Sequence, residues 1–172
     1  MSESAVVVAF VAGLALVVGS VRTVPPQHTY VVELLRRYRR TLEPGVHLLI
    51  PLLESVRAKL LMAEQSATFG PVAAITSDDR VACITTVVYH QVGDPVRATY
   101  QIYDRPAAVE QATAYVLRSL AGTMTFDAIR ENPRQVTAQL TEMLHETTTA
   151  FGVQINRAEI TAIDEGSRSG CG

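Results

Sequence analysis

Residues 81–92, VACITTVVYHQV, decide the fold. The run is rich in β-branched residues, which favour a pleated, half-buried backbone. Its two faces are Val81, Cys83, Thr85, Val87 and Tyr89 and, opposite, Ala82, Ile84, Thr86, Val88 and His90. Neither face is strongly polar before His90 and Gln91. Such a strand is covered on both sides or lies in the middle of a sheet. Ser77-Asp78-Asp79-Arg80 immediately upstream reads as a turn. Before it, residues 65–76 form another β-like run, broken at Gly70-Pro71, so the pair predicts a long antiparallel hairpin.

Working outward, the period changes after Gly93-Asp94-Pro95. Asp104 is placed to cap a helix whose Pro106 falls in the first turn, where amides lack partners anyway. Val109, Ala112, Val116 and Leu120 share one face of it, and Gly122 ends it. A second helix is expected from Asn132-Pro133, with Asn132 as its side-chain cap and an apolar stripe of Val136, Leu140, Met143, Leu144 and Phe151. Residues 153–163 (VQINRAEITAI) alternate again, with Val153, Ile155 and Arg157 on one side and Asn156, Ala158 and Ile160 on the other. They read as a final strand. Toward the N-terminus, residues 28–35, 46–50 and 56–62 read as short strands. Arg36 to Arg40 read as a basic turn, and Leu42-Glu43-Pro44-Gly45 as a second turn. Strands, then helices, then a strand make an α+β module.

Residues 5–21, AVVVAFVAGLALVVGSV, carry no charge. As a helix they span roughly 25 Å, against a hydrocarbon core of about 30 Å. The expected membrane segment comprises Ala5, Val6, Val7, Val8, Phe10, Val11, Leu14, Leu16, Val17, Val18 and Val21. A cleaved signal peptide is the rival reading, but Met1-Ser2-Glu3-Ser4 supplies no cationic start and no small-x-small site follows. Residues 1–24 are therefore expected as an anchor, 25–164 as the α+β domain, and 165–172 as an unstructured tail. Arg22, Arg36, Arg37, Arg39 and Arg40 follow the segment, whereas only Glu3 precedes it. That asymmetry places the main domain in the cytoplasm as a single-pass protein of the cell membrane. The same five arginines are candidates for contact with anionic lipid headgroups.

The formal net charge of −2 supplies no basic field for nucleic acid. Cys83 and Cys171, the only cysteines, stand in a strand-like run and a Gly/Ser tail, which argues against a disulfide framework and a structural zinc site. His28, His47, His90 and His145 are too scattered for a local metal motif. No nucleophile elbow, phosphate loop or dinucleotide fingerprint appears. Ser119 has no recognisable base beside it, and Asp78-Asp79 suits a turn better than acid–base work. No catalytic, cofactor or metal residue is assigned.

Taken together, the chain resembles the stomatin/prohibitin/flotillin (SPFH, Band 7) family, nearest its stomatin-like branch. The motifs that carry the likeness run in order from Val24-Pro25-Pro26-Gln27 and Val31-Val32-Glu33 to Arg37-Tyr38-Arg39-Arg40-Thr41-Leu42-Glu43-Pro44-Gly45-Val46-His47 and Ile50-Pro51. They continue through Ile75-Thr76-Ser77-Asp78-Asp79, Val88-Tyr89, Val92 and Asp94-Pro95-Val96. Leu117-Arg118-Ser119-Leu120-Ala121-Gly122, Thr125-Phe126-Asp127, Phe151-Gly152-Val153 and Ala158-Glu159-Ile160 complete them. The resemblance implies a Band 7 fold: a curved β-rich half, then helices packed on a sheet. It implies a membrane scaffold without catalysis or cofactor, whose partners are the lipid bilayer, further copies of itself, and a membrane protease or other membrane protein.

Two departures stand out. The family has Gly where Arg36 stands, and a positive φ there would strain an arginine by about 1 kcal/mol or more. The family continues past the last strand into a long helical coil. Residues 164–172, DEGSRSGCG, have no heptad, so homo-oligomers built on that coil are not expected. The expected function is a membrane-anchored scaffold or interaction protein. The alternatives are a regulatory subunit of a membrane protease and a truncated, non-assembling remnant.

Overall fold

The computed structural model describes residues 20–50, 53–167 and 171. The membrane segment expected over Ala5 to Val18 lies outside them. Among the described residues no helix is long and apolar enough to cross a membrane. The chain forms two compact units, residues 1–62 and 63–172.

From Val21 on, the described part of the first unit is built of strands. Strands β1 (Val21–Val24) and β4 (Gly45–Leu48) pair as an antiparallel ribbon, with Val21 opposite Leu48 and Thr23 opposite Val46. Val21 therefore belongs to a strand and does not continue the apolar segment into its last turn. Strands β2 (His28–Leu34), β3 (Arg37–Leu42) and β5 (Glu54–Leu61) make a sheet of order β3-β2-β5. The arginine-rich stretch expected as a turn is thus mostly strand. Only Leu35 and Arg36 turn the chain, both with positive φ (50° and 66°). A two-residue hairpin loop needs left-handed backbone at both central positions to match the twist of its strands. Val24, Val32, Leu42 and Leu49 form the small core here, with Tyr30 and Val56 against it.

In the second unit, β6 (Gln65–Ile75), β7 (Val81–Val92) and β8 (Val153–Gly166) form an antiparallel sheet in that order. Val81–Val92 is its central strand. Four helices follow β7: α1 (Pro95–Tyr100), α2 (Arg105–Gly122), α3 (Phe126–Glu131) and α4 (Pro133–Thr149). The helix-side residues Ala82, Ile84 and Val88 pack in one core with Val109, Val116, Leu120, Leu140 and Leu144. The expected stripe of α2 is buried, and the Asp104 carboxylate accepts from the Ala107 amide as its cap. Asn132 makes no such bond: its side chain leaves α4 uncapped, although Pro133 starts the helix as expected.

Two bulges reset the last strand. Tyr89 pairs with Arg157 and His90 with Ile155, so Asn156 is an extra residue. An extra residue shifts the alternation by one. Val153, Ile155 and Ala158 consequently all join the core, while Arg157 stands 3.9 Å from the Tyr89 ring, away from Ile155's side. Simple alternation, which put Arg157 with Val153 and Ile155, fails for that reason.

The tail also departs from expectation. Glu165 and Gly166 extend β8, and Cys171 is joined to Cys83 of β7 by a disulfide. A sequence separation of 88 hid this pairing, in which the Cα atoms stand 5.7 Å apart. Gly152, φ +75°, closes the α4–β8 connection. A Cβ there would lie 2.6 Å from the Asp94 carbonyl oxygen, so only glycine fits.

Candidate membrane-facing surface

One end of the first unit gathers what an interfacial surface needs. The Leu49 amide donates to the Ser20 carbonyl at 2.8 Å, the Leu53 amide to Ile50, and the Leu35 amide to Leu53 at 3.3 Å. These bonds string together the exit of the apolar segment, the end of β4 and the tip of the β2–β3 hairpin. Exposed apolar side chains crowd the same string: Val21, Leu35 (72% exposed), Val46, Leu48 (63%), Ile50 and Leu53. Val21 and Leu48 are direct cross-strand partners, as are Thr23 and Val46, so these four share one face of the ribbon. Its other face supplies the buried Val24.

Of the eleven large apolar or aromatic side chains left exposed among the described residues, seven belong to this unit, which is the smaller of the two. A single exposed leucine needs no explanation, but a concentration beside one chain exit marks an interaction surface.

The five candidate arginines separate into two groups. Arg39 Nη1 lies 2.8 Å from Glu54 Oε1 and Arg40 Nη2 lies 3.3 Å from Oε2, and the Glu54 side chain is fully buried. The Arg39 approach is an ion pair off the angle of a hydrogen bond, since Oε1 has no bonded donor. The Ile50 amide donates to Oε2 at 2.8 Å, and Arg40 also donates to the Leu48 carbonyl. Arg39 is the bulged residue of β3, between Arg40 and Tyr38 in the register with β2. These two guanidiniums neutralise a buried carboxylate and hold the loop after β4 in place. Arg22, Arg36 and Arg37 are exposed and enter no ion pair among the described residues.

Sequence reasoning missed the apolar part of this surface and Glu54. The signal for the apolar part was present: Val46, Leu48 and Ile50 alternate, and a Leu-Arg pair at a two-residue hairpin tip has nowhere to bury its leucine.

Three of the four histidines hold backbone. His28 Nδ1 donates to the Pro26 carbonyl, His47 Nε2 to Glu43, and His145 Nδ1 to Ile155. His47 and His90 stand in different units. Among the described residues no group of three or more His, Cys, Asp or Glu side chains is arranged for a metal ion. Asp78 serves the turn before β7, where its carboxylate accepts the Phe126 amide at 3.0 Å and so fixes the start of α3. Hydrogen bonds from Thr76 and then Phe126 hold it below its ordinary pKa. Ser119 is exposed on α2.

Comparison with known proteins agrees with this architecture. The model of the SPFH domain / Band 7 family matches residues 22–168. The chain belongs to the SPFH/Band 7 family. An uncharacterized protein of Mycobacterium tuberculosis is 37% identical over 151 residues, covering 88% of this chain and 40% of that protein. One from Methanothermobacter thermautotrophicus is 32% identical over 151 residues, 88% of this chain and 47% of its own length. Human stomatin-like protein 2, mitochondrial, is 30% identical over 140 residues, 81% of this chain and 39% of that protein. This Band 7 chain thus spans less than half the length of the relatives it matches.

Proposed function

We propose that this Band 7 protein is a membrane-anchored scaffold, without catalysis, that holds its first unit against the lipid surface. The apolar residues 5–18 supply the anchor. Val21, Leu35, Val46, Leu48, Ile50 and Leu53 enter the interfacial layer, and Arg22, Arg36 and Arg37 meet anionic headgroups. The observation that carries this reading is the string of backbone bonds from Ser20 through Leu49 and Ile50 to Leu53 and Leu35. It sets the exposed leucines beside the point where the apolar segment enters the unit. Family membership supports membrane association in general, and the arginine asymmetry supports a cytoplasmic main domain.

The chain contains no tryptophan, so one can be introduced as a depth reporter. Leu35→Trp, Leu53→Trp and, in the second unit, Tyr115→Trp are made in the full chain and reconstituted into vesicles containing brominated lipid. Quenching and a blue-shifted emission at positions 35 and 53, absent at 115, are expected. Emission at 35 and 53 matching that at 115 would reject the interfacial seat.

A further inference from the structure

The Cys83–Cys171 bond joins two sulfurs in unlike surroundings. Cys83 sits in the central strand of the second unit's sheet, flanked by Ala73 on β6 and Asp164 on β8. Its sequence neighbours Ala82 and Ile84 point to the helices and pack in the core there. Cys83 therefore points to the other face of the sheet, because successive side chains of a strand alternate. It is only 4% exposed even so. Val81, Thr85 and Val87, which share that face with it, are less deeply buried. Cys171 stands at the other end of the bond and keeps part of its surface open to solvent.

A disulfide opens when a thiolate attacks one of its sulfurs in line with the S–S bond and the other sulfur leaves. Access then helps decide which sulfur is attacked. Cys83 offers almost no surface for an approach, whereas Cys171 has an open side. Nor does opening require the sheet to come apart. Strand β8 is paired with β7 from Val153 to Gly166 through its own ladder. Arg80 adds a two-pronged hold on the end of β8, with Nε 3.0 Å and Nη2 2.9 Å from the Glu165 carboxylate oxygens. Gly166 is thereby kept opposite Val81, and Cys171 follows only a few positions later. A thiol tethered by so short a stretch meets its partner at an effective concentration on the order of millimolar.

We propose that Cys171 is a site of reversible modification by low-molecular-weight thiols, with Cys83 as the sulfur that leaves and returns. The thiolate of the reagent bonds to Cys171 Sγ and the Cys83–Cys171 bond breaks. Cys83 Sγ departs with the electron pair and takes up the proton that the reagent gave up. One S–S bond replaces another, so the step needs no oxidant. In the reverse step Cys83 attacks Cys171 and expels the reagent as its thiol. Entered from the reduced protein, the same mixed disulfide forms when Cys171 attacks an oxidised low-molecular-weight thiol and releases one of its halves. The site rests neither on the membrane-facing surface nor on the side of the membrane that the domain occupies, so failure of one reading leaves the other standing.

The test uses the full chain in detergent micelles, with glutathione as the probe. In one arm the disulfide form meets reduced glutathione, and in the other the reduced protein meets oxidised glutathione. Quenching with N-ethylmaleimide and tryptic mass spectrometry then read each cysteine separately, since cleavage at the arginines between them puts them on different peptides. In both arms an early species with glutathione on Cys171 and N-ethylmaleimide on Cys83 is expected, in about ten-fold excess or more over the opposite arrangement. Desalting that species before alkylation should restore the Cys83–Cys171 bond and release the glutathione. Cys83→Ala should instead keep its adduct on Cys171 through the same desalting, its melting temperature serving as the folding check. Glutathione found equally on both cysteines, or chiefly on Cys83, overturns the assignment of Cys171. An adduct that survives desalting in the native chain overturns the return of Cys83, and no adduct in either arm or in Cys83→Ala overturns the modification itself.

Discussion

Arg39 Nη1 lies 2.8 Å from Oε1 of the buried Glu54. That pair, with Arg40 on the other oxygen, divides the basic stretch of the first unit into arginines that hold the fold and arginines that face outward. Removing the partners of a buried charge is expensive, whereas trimming an exposed side chain is usually neutral. Replacing both Arg39 and Arg40 with Gln should therefore destabilise the protein by about 3 kcal/mol. Replacing Arg36 and Arg37 with Gln should change stability by less than about 0.5 kcal/mol. The second pair should instead weaken attachment to anionic vesicles by roughly 1 kcal/mol per arginine. Denaturant melts, and lipid-composition-dependent quenching of the reporter in a Leu35→Trp background, separate the two effects. Equal loss of stability from both double variants would erase the distinction.

The hairpin tip makes a sharper case. Leu35 and Arg36 both adopt left-handed backbone, at φ 50° and 66°. Each non-glycine residue there bears a strain of about 1 kcal/mol. Arg36→Gly should therefore raise stability by up to about 1 kcal/mol, the relief being partly offset by the greater freedom glycine gives the unfolded chain. A rise in denaturant midpoint without a change in slope is the expected result. A fall would mean that the Arg36 side chain contributes more than its backbone costs.

How much of this could be read from the sequence depended on whether a signal was local. Val81–Val92 and the Asp104-capped helix were legible because their burial pattern and caps lie within one element. The hairpin tip was legible in part: a family glycine at Arg36 pointed to a positive φ there, but nothing drew attention to Leu35. Arg37 to Arg40 read as a turn because strand patterns are recognised by apolar alternation, and this edge strand is rich in arginines, two of them tethered to Glu54. The bulge at Asn156 was invisible, since it exists only relative to the partner strand. Helices α1 and α3 are each six residues long and too short for a period to show, although Asp94 and Thr125 cap them. The Cys83–Cys171 bond and the Glu54 ion pairs depend on residues distant in sequence, and no spacing rule finds them.

The second unit carries a pH signature to which His90 and the carboxylates Glu165 and Asp78 contribute. Burial, with the Arg105 charge beside it, holds His90 below its ordinary pKa. The unfolded chain therefore takes up that proton first, and stability falls as pH drops below about 6.5. Glu165 is held low by its hydrogen bonds from Arg80, whose Nη2 lies 2.9 Å from Oε2. Its contribution is present above the ordinary carboxylate range and disappears as pH falls through the folded value. Melting temperatures from pH 8 to pH 4 should fall in two stages. His90→Gln should remove the upper stage and Arg80→Gln should shrink the lower. An upper stage unchanged in His90→Gln would assign it to another group.

The disulfide and the arginine asymmetry make opposing demands on where the domain sits. Cys83 and Cys171 are bonded in the folded chain. Disulfides persist in oxidising compartments, whereas the orientation proposed from the positive-inside rule would put this domain in a reducing cytosol. If the arginines decide, the geometry that allows the bond is in place but both residues are held as thiols in the cell. Trapping intact cells with a membrane-permeant alkylating reagent should then modify both cysteines, and purified protein exposed to a mild oxidant should close the bond without rearranging the sheet. Protein recovered already oxidised from trapped cells would place the domain on the oxidising face and reverse the orientation, while leaving the seat of Leu35 and Leu53 on the membrane surface unaffected. The alkylation pattern therefore tests the side of the membrane separately from the attachment to it.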